Sequence, residues 1–334
     1  MNEKTLKDKV LGCLLGGVIG DAMGAPVEGW HYERIVAEKG YITDFEGEGT
    51  DDSAIKLILC EALLENGGHA TADDFAASFL RNEDQYRHFF IPVRNMYKKL
   101  QEDLDLPINA GLGNMASSSS AMSISPIGIV NACDPRTAAA EAYEVAGLIH
   151  SGCASFCRDG ASAMAAAVAA AFDPQATVEY ILDSATAYLH VKSAEIMRGK
   201  IKDALEMARK SGGYEAFRKY YYENAELYKN PCDSRETVPV ALALFCLAGG
   251  DVNKAIPFGA NFGRDADTIA TMAGAVAGAF TGMAGLKKEW VSKMLSSATN
   301  QEKLAEDMTV LIHRRCEEKR GVLAKIEAMR SIML

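Results

Sequence analysis

The stretch LGCLLGGVIGDAMG (residues 11–24) sets a glycine at every fourth position: Gly12, Gly16, Gly20 and Gly24. Residues i and i+4 of a helix share a face. A glycine inside a helix costs about 1 kcal/mol against alanine, so a ridge of them needs a compensating gain. Close approach of a neighbouring backbone supplies one. A second ridge, Gly274, Gly278 and Gly282, repeats the spacing far along the chain. Both segments therefore read as central, tightly packed helices. The alternative for the first is a break near Gly16-Gly17 or Gly20.

The chain reads helical almost throughout. Alanine-rich segments dominate, such as 137–148 (TAAAEAYEVAGL), 161–172 (ASAMAAAVAAAF) and 237–248 (TVPVALALFCLA). Their apolar spacing follows i, i+3, i+4 rather than alternation. Stop signals punctuate them: Gly67-Gly68 after Asn66, Asp173-Pro174, and Gly249-Gly250. The expected fold class is all-α, in a single domain. Residues 102–120 form the longest irregular stretch and read as an ordered loop at a site. Residues 287–334 change character. KKEWVSKMLSS and QEKLAEDMTVLIHRRCEEKR are charged amphipathic helices, expected to pack on the outside of the body, with a dimer contact as the alternative.

The 334 residues carry 35 Lys and Arg against 45 Asp and Glu, a net charge of −10. Nucleic acid and anionic membranes both need a cationic surface, so neither is an expected partner. Apolar residues make up 49% of the chain, which is enough for a folded core. The uncharged run 269–286 is long enough to suggest a membrane span. It is mostly Ala, Gly, Thr and Met, which insert weakly, so a buried helix fits better. The N-terminus imitates a signal peptide, but Glu3 and Asp8 interrupt its basic region. Eight scattered cysteines with no paired CxxC read as buried, reduced thiols of a cytoplasmic protein.

Two short clusters carry chemistry. Thr50-Asp51-Asp52-Ser53 precedes the apolar segment AIKLILCEALLENGG, and Asp265-Ala266-Asp267-Thr268 precedes the second glycine ridge. Either alone reads as an N-cap with first-turn acids. Together they offer four carboxylates and two hydroxyls, a hard oxygen set. If the two turns converge, their charges need cations. Mg2+ or Mn2+ suits them. Zn2+ does not, with no His or Cys nearby in the sequence. Adjacent Asp51 and Asp52 diverge by about 100° on a helix. They serve two ions better than one, which favours a binuclear centre with metals about 3.5–4 Å apart.

Four segments, in order, resemble the ADP-ribosylglycohydrolase family. LGCLLGGVIGDAMGAPVEGW (11–30) is similar to its GDxxGxxxE signature through Gly20, Asp21, Gly24 and Glu28. GTDDS (49–53) is similar to its metal motif. SAMSISPIG (120–128), with DPRTAAAEAYEVAGLIHSG (134–152), resembles its AMRxxPxG segment and later histidine. NFGRDADTIATMAGAVAGAFTG (261–282) resembles its second metal motif. The resemblance covers about residues 6–286.

The resemblance implies an all-α orthogonal helical bundle with a binuclear Mg2+ or Mn2+ centre. Residues 1–286 would form the catalytic unit, with 287–334 packed on it. The implied metal ligands are Thr50, Asp51, Asp52, Asp265, Asp267 and Thr268. Glu28 would be the catalytic carboxylate, and its apolar surroundings would raise its pKa. Asp21 is expected to support the metal shell or cap a helix. Substrate contacts are expected from Asn114, Ser118, Ser119, Ser120, Met122, His150, Gly263 and Arg264. The implied activity is hydrolysis of an N- or O-ribosyl bond, with the ribose cis-diol held by the ions.

This chain departs from the family pattern at Ser123, in place of an arginine. It departs again in the longer loop GNMASSSSAM and in GRDADT. A nucleoside or nucleotide conjugate therefore stands beside protein-linked ADP-ribose as a substrate. A prenyl-diphosphate enzyme would need a carboxylate where Ile55 stands. A non-catalytic ADP-ribose-binding relative is a third reading, and the intact acid set argues against it.

Overall fold

The computed structural model describes residues 3–297 and 299–332. The expected 1–286 and 287–334 boundaries also take in residues 1, 2, 298, 333 and 334, which lie outside the described residues. Helices account for 73% of the chain, and no strand occurs among the described residues. The all-α expectation holds.

The N-terminal helix runs unbroken from Glu3 to Gly24, through Gly16-Gly17 and Gly20. What permits this is the buried helix Ala266–Thr281, which lies against it with opposite sense. A Cβ on Gly12 would strike the Gly278 carbonyl, one on Gly16 the Gly274 carbonyl, and one on Gly20 the Ala270 carbonyl. One on Gly24 would meet the backbone of Asp267. The two ridges are each other's partners, a pairing that neither predicts alone. Gly282 differs from its ridge mates. It ends the helix with φ of 76°, a conformation that favours glycine.

The antiparallel register positions the site. It sets Asp21, near the end of one helix, beside Asp267, at the start of the other. At the opposite end, the Lys9 ammonium donates to Ala171 O (2.6 Å), Ala279 O (3.2 Å) and Phe280 O (3.2 Å). It thereby gathers the last carbonyls of two helices, where a cation is favoured. The expected stops also hold. Helices Asp51–Glu65, Phe156–Ala171 and Ser234–Leu247 end just before the signals at 67–68, 173–174 and 249–250.

The uncharged run 269–286 is a buried core helix followed by a short turn. Among the described residues, only Lys4–Val27 is long and apolar enough to cross a membrane, and 89% of it is buried inside the protein. The helix Lys288–Leu295 packs on the body through Trp290 and Met294. The helix Gln301–Ile332 does so through Ala305, Met308 and Leu311. Arg315 clamps it, donating to Gly68 O (2.6 Å), Asn131 Oδ1 (2.7 Å) and Glu141 Oε1 (2.7 Å). Beyond that clamp residues 316–330 are all exposed, and the helix meets the body there through the surface pairs Glu318–His69 (2.8 Å) and Lys319–Asp134 (2.5 Å). All eight cysteines are free. Burial, expected of all, holds for Cys13, Cys60 and Cys157, whereas Cys133, Cys153 and Cys316 are exposed.

Candidate metal centre and active site

Asp21 is buried and occupied. Its carboxylate accepts from Thr50 N (2.9 Å), the Thr50 hydroxyl (2.9 Å), Ser53 N (3.0 Å) and the Ser53 hydroxyl (2.6 Å). It thus fastens the start of the Asp51 helix to the central helix, the capping role expected of it. Gly49 (φ 95°) precedes this turn, and a Cβ there would fall on the Asp21 carboxylate.

The second acid turn is held to the loop that carries Glu28. Gly29 N donates to Arg264 O (2.6 Å), and Arg264 N donates to Trp30 O (2.8 Å). Gly263 and Arg264 both have left-handed φ, 80° and 61°. That conformation is free for glycine and strained for arginine. The Arg264 side chain secures it, donating to buried Glu236 (2.6 and 2.8 Å) and to Tyr228 O (2.6 Å). This explains how the chain tolerates GRD at a position that favours glycine.

The two turns and Glu28 open onto one cavity of about 200 Å³. Glu28, Asp51, Asp52, Asp265, Asp267 and Thr268 line it, together with Ser118, Ser119 and Met122. The two acid clusters, 213 positions apart between Asp52 and Asp265 (265 − 52 = 213), therefore meet. The carboxyl groups perturb one another. Burial first, then Asp21, Asp267, Asp51 and Asp265, push Asp52 well above the usual range. Burial, Asp265, Glu28 and Asp21 do the same to Asp267. Asp51 rises to about 6, mainly by burial, although its carboxylate accepts from Phe90 N (3.1 Å). Asp265 rises to about 7, again mainly by burial, with Ser118 donating at 2.8 Å. Partial burial, followed by Asp21, raises Glu28.

Asp52 Oδ2 is buried without any donor. An unpaired buried acceptor among like charges is costly. Oxygen-ligated divalent cations fit this donor set. Behind it lies Lys56, a buried ammonium that also has no hydrogen-bond partner.

Six residues expected at the site do not line the cavity. Thr50 spends its hydroxyl on Asp21 and on Asp52 N (3.4 Å). Asn114 donates to Pro92 O (2.9 Å) and Ile149 O (2.8 Å), bracing the loop. His150 is fully buried, with Ser117 on Nε2 (3.0 Å) and Ser120 on Nδ1. Gly263 packs against the Trp30 carbonyl, and Arg264 faces Glu236 rather than a substrate phosphate. Ser120, the sixth, is buried with its hydroxyl on His150.

Burial lowers the His150 pKa to about 3. The unfolded chain would protonate it near the ordinary value of about 6.5. Its stabilising contribution is therefore full above that value and lost as pH falls towards 3. Between pH 7 and 5, wild type is expected to lose about 2 kcal/mol more stability than His150→Gln. Denaturant unfolding at the two pH values measures this difference. Equal losses in both proteins would contradict the burial argument.

The sequence reading missed five cavity residues: His88, Phe89, Phe90, Arg94 and Cys232. The segment HFFIPVR (88–94) joins aromatic and basic residues, a signal that was present. Cys232 had none. It also corrects the exclusion of sulfur, because folding brings its thiol to Asp265 and Glu28.

The ADP-ribosylglycohydrolase family description matches residues 2–320, past the boundary expected at 286. YegU of Escherichia coli is 27% identical over 300 residues, covering 83% of this chain and 88% of YegU. Human ADP-ribosylhydrolase ARH3 is 24% identical over 322 residues, covering 84% of this chain and 87% of ARH3. A solved structure titled an ADP-ribosylglycohydrolase-related protein complex superposes with a TM-score of 0.70 at 22% identity. It covers 93% of this chain and 99% of its own.

Proposed function

The chain belongs to the ADP-ribosylglycohydrolase family and is a hydrolase of that type, and from this premise we propose its bond and its site. It cleaves the bond between the anomeric carbon of an ADP-ribosyl or related ribosyl group and an N- or O-linked acceptor. The carrying observation is the convergence of Glu28 and four aspartates on one cavity, with an Asp52 oxygen that no protein donor meets. Asp51, Asp52, Asp265, Asp267 and Thr268 would hold two divalent cations, Mg2+ or Mn2+. Such ions, when bound, orient ribose hydroxyls and make a bound water more acidic.

The protein's own groups account for the rest. Departure of the acceptor builds positive charge on the ribose ring. The carboxylates around the cavity oppose that charge. Glu28, at the open rim with a raised pKa, can hold a proton for the departing acceptor and take one from incoming water. Arg94 adds a cation to the cavity lining, which could meet a substrate phosphate. Asn114 and His150 act at one remove, by fixing the serine loop. The C-terminal helices belong to the same packed unit, and eight free thiols suit a reducing cytoplasm.

A second reading of the substrate rests on size. The cavity holds about 200 Å³, below the roughly 300–1,000 Å³ of sites for drug-sized ligands. A nucleoside or nucleotide conjugate then competes with ADP-ribosylated protein.

The test is a panel of ADP-ribosyl-arginine, ADP-ribosyl-serine, O-acetyl-ADP-ribose and simple nucleosides, incubated with Mn2+ and the purified protein. Release of ADP-ribose or ribose from at least one member, lost on chelation, is expected. Tight ADP-ribose binding with no turnover of any member would instead mark a non-catalytic relative.

A further inference from the structure

We infer that Cys232, Glu28 and Asp265 form a site for a thiophilic divalent cation, such as Zn2+ or Cd2+, at one edge of the cavity. The inference rests on reading that cavity as a cation site. The Cys232 sulfur and one carboxylate oxygen each from Glu28 and Asp265 lie within 4.8 Å of one another. The edges of a zinc tetrahedron with sulfur and oxygen ligands are about 3.5 Å, given bonds of about 2.0–2.3 Å. Small side-chain rotations close that gap.

The thiol is held in place. Asn230 Oδ1 accepts from Cys232 N (3.3 Å), and Asn230 Nδ2 donates to Ala116 O (3.0 Å). The next residue, Asp233, is buried and caps the helix Ser234–Leu247 by accepting from Arg235 N (2.9 Å). This pins the 230–233 turn to the serine loop on one side and to a core helix on the other. The cluster shares its cavity with the buried and unpartnered Asp52 Oδ2, which also points to a ligand there.

The two kinds of ligand sort the cations. Asp265 is common to both ligand sets: Mg2+ and Mn2+ favour the all-oxygen set, whereas Zn2+ and Cd2+ favour the edge where Cys232 adds sulfur. Binding forms one sulfur–metal bond, breaks the S–H bond and releases that proton to solvent. Three protein ligands leave a fourth position for water. Occupancy also takes Glu28 out of acid–base service, so the thiophilic ion would act as an inhibitor of the family reaction.

The experiment titrates Cd2+ into the full chain and records the ultraviolet thiolate-to-metal charge-transfer band. Wild type is compared with Cys232→Ser and Cys232→Ala, and thermal protection of wild type by Mn2+ is measured in parallel. A band saturating near one equivalent, displaced by Zn2+ and lost in both variants, is expected. If Mn2+ protects but wild type shows no band, the inference fails and the metal reading stands. A band of equal size in both variants would arise from the exposed thiols Cys133, Cys153 and Cys316 and would also overturn it. Absence of both the band and Mn2+ protection removes the inference together with the reading beneath it.

Discussion

Replacing Asp52 with asparagine is expected to abolish thermal protection by Mn2+ while leaving the metal-free protein at least as stable as wild type. Most buried acids stabilise through a partner, and their removal weakens the fold. Asp52 differs because its Oδ2 has no donor, and the carboxyl groups of Asp21, Asp51, Asp265 and Asp267 outnumber the one buried lysine near it, Lys56. Without a bound metal ion that excess of carboxyl groups is repulsive, and the amide relieves it. With a cation the carboxylate becomes a ligand. A ligand present at 100 times its dissociation constant stabilises by about 2.7 kcal/mol, and the variant should lose most of that gain. Turnover should fall about a thousandfold, equivalent to about 4 kcal/mol in the barrier. Melting curves with and without Mn2+, alongside rates on whichever substrate is cleaved, measure both effects. A variant that Mn2+ still protects fully, or a metal-free variant clearly weaker than wild type, would contradict the argument.

Gly278→Ala is expected to lose about 3 kcal/mol of stability, although helix propensity alone forecasts a gain of about 1 kcal/mol. The opposition of sign makes the experiment decisive. A Cβ at position 278 would fall on the carbonyl of Gly12, a backbone atom inside an unbroken central helix. No rotamer change can relieve that collision. The helices must separate, and separation would also pull Asp21 from Asp267. Gly199→Ala is the control. Gly199 lies inside the helix Glu195–Lys210 with nothing within 4 Å of an added Cβ, so propensity should win there and the variant should be slightly more stable. Denaturant unfolding of both variants decides the matter. Gly278→Ala at wild-type stability would contradict the close-packed account.

The two glycine ridges were legible because a repeated penalty implies a repeated reward, whatever supplies it. Their partnership was not, since register between helices some 250 positions apart is a property of the assembled core. The acid turns were legible as caps, and as metal ligands only if they met. Asp21 carried both readings and proved to be the strap that makes the meeting happen. Arg264 shows the opposite limit. Beside two aspartates it invites an electrostatic reading, yet its guanidinium turns to Glu236, 28 residues away in sequence. His150 and Asn114 marked the right loop but brace it from behind. Cys232 carried no local pattern at all, because its neighbours in the cavity come from two other stretches of chain.

Catalysis as proposed depends on the Thr50 and Asp265 turns gripping divalent cations together. Crystals of the full chain soaked in Mn2+ and measured at the manganese absorption edge test this directly. Two anomalous peaks about 3.5–4 Å apart, bordered by Asp51, Asp52, Asp265 and Asp267, are expected. A map with no peak between those carboxylates, or with manganese only elsewhere on the protein, would contradict the account.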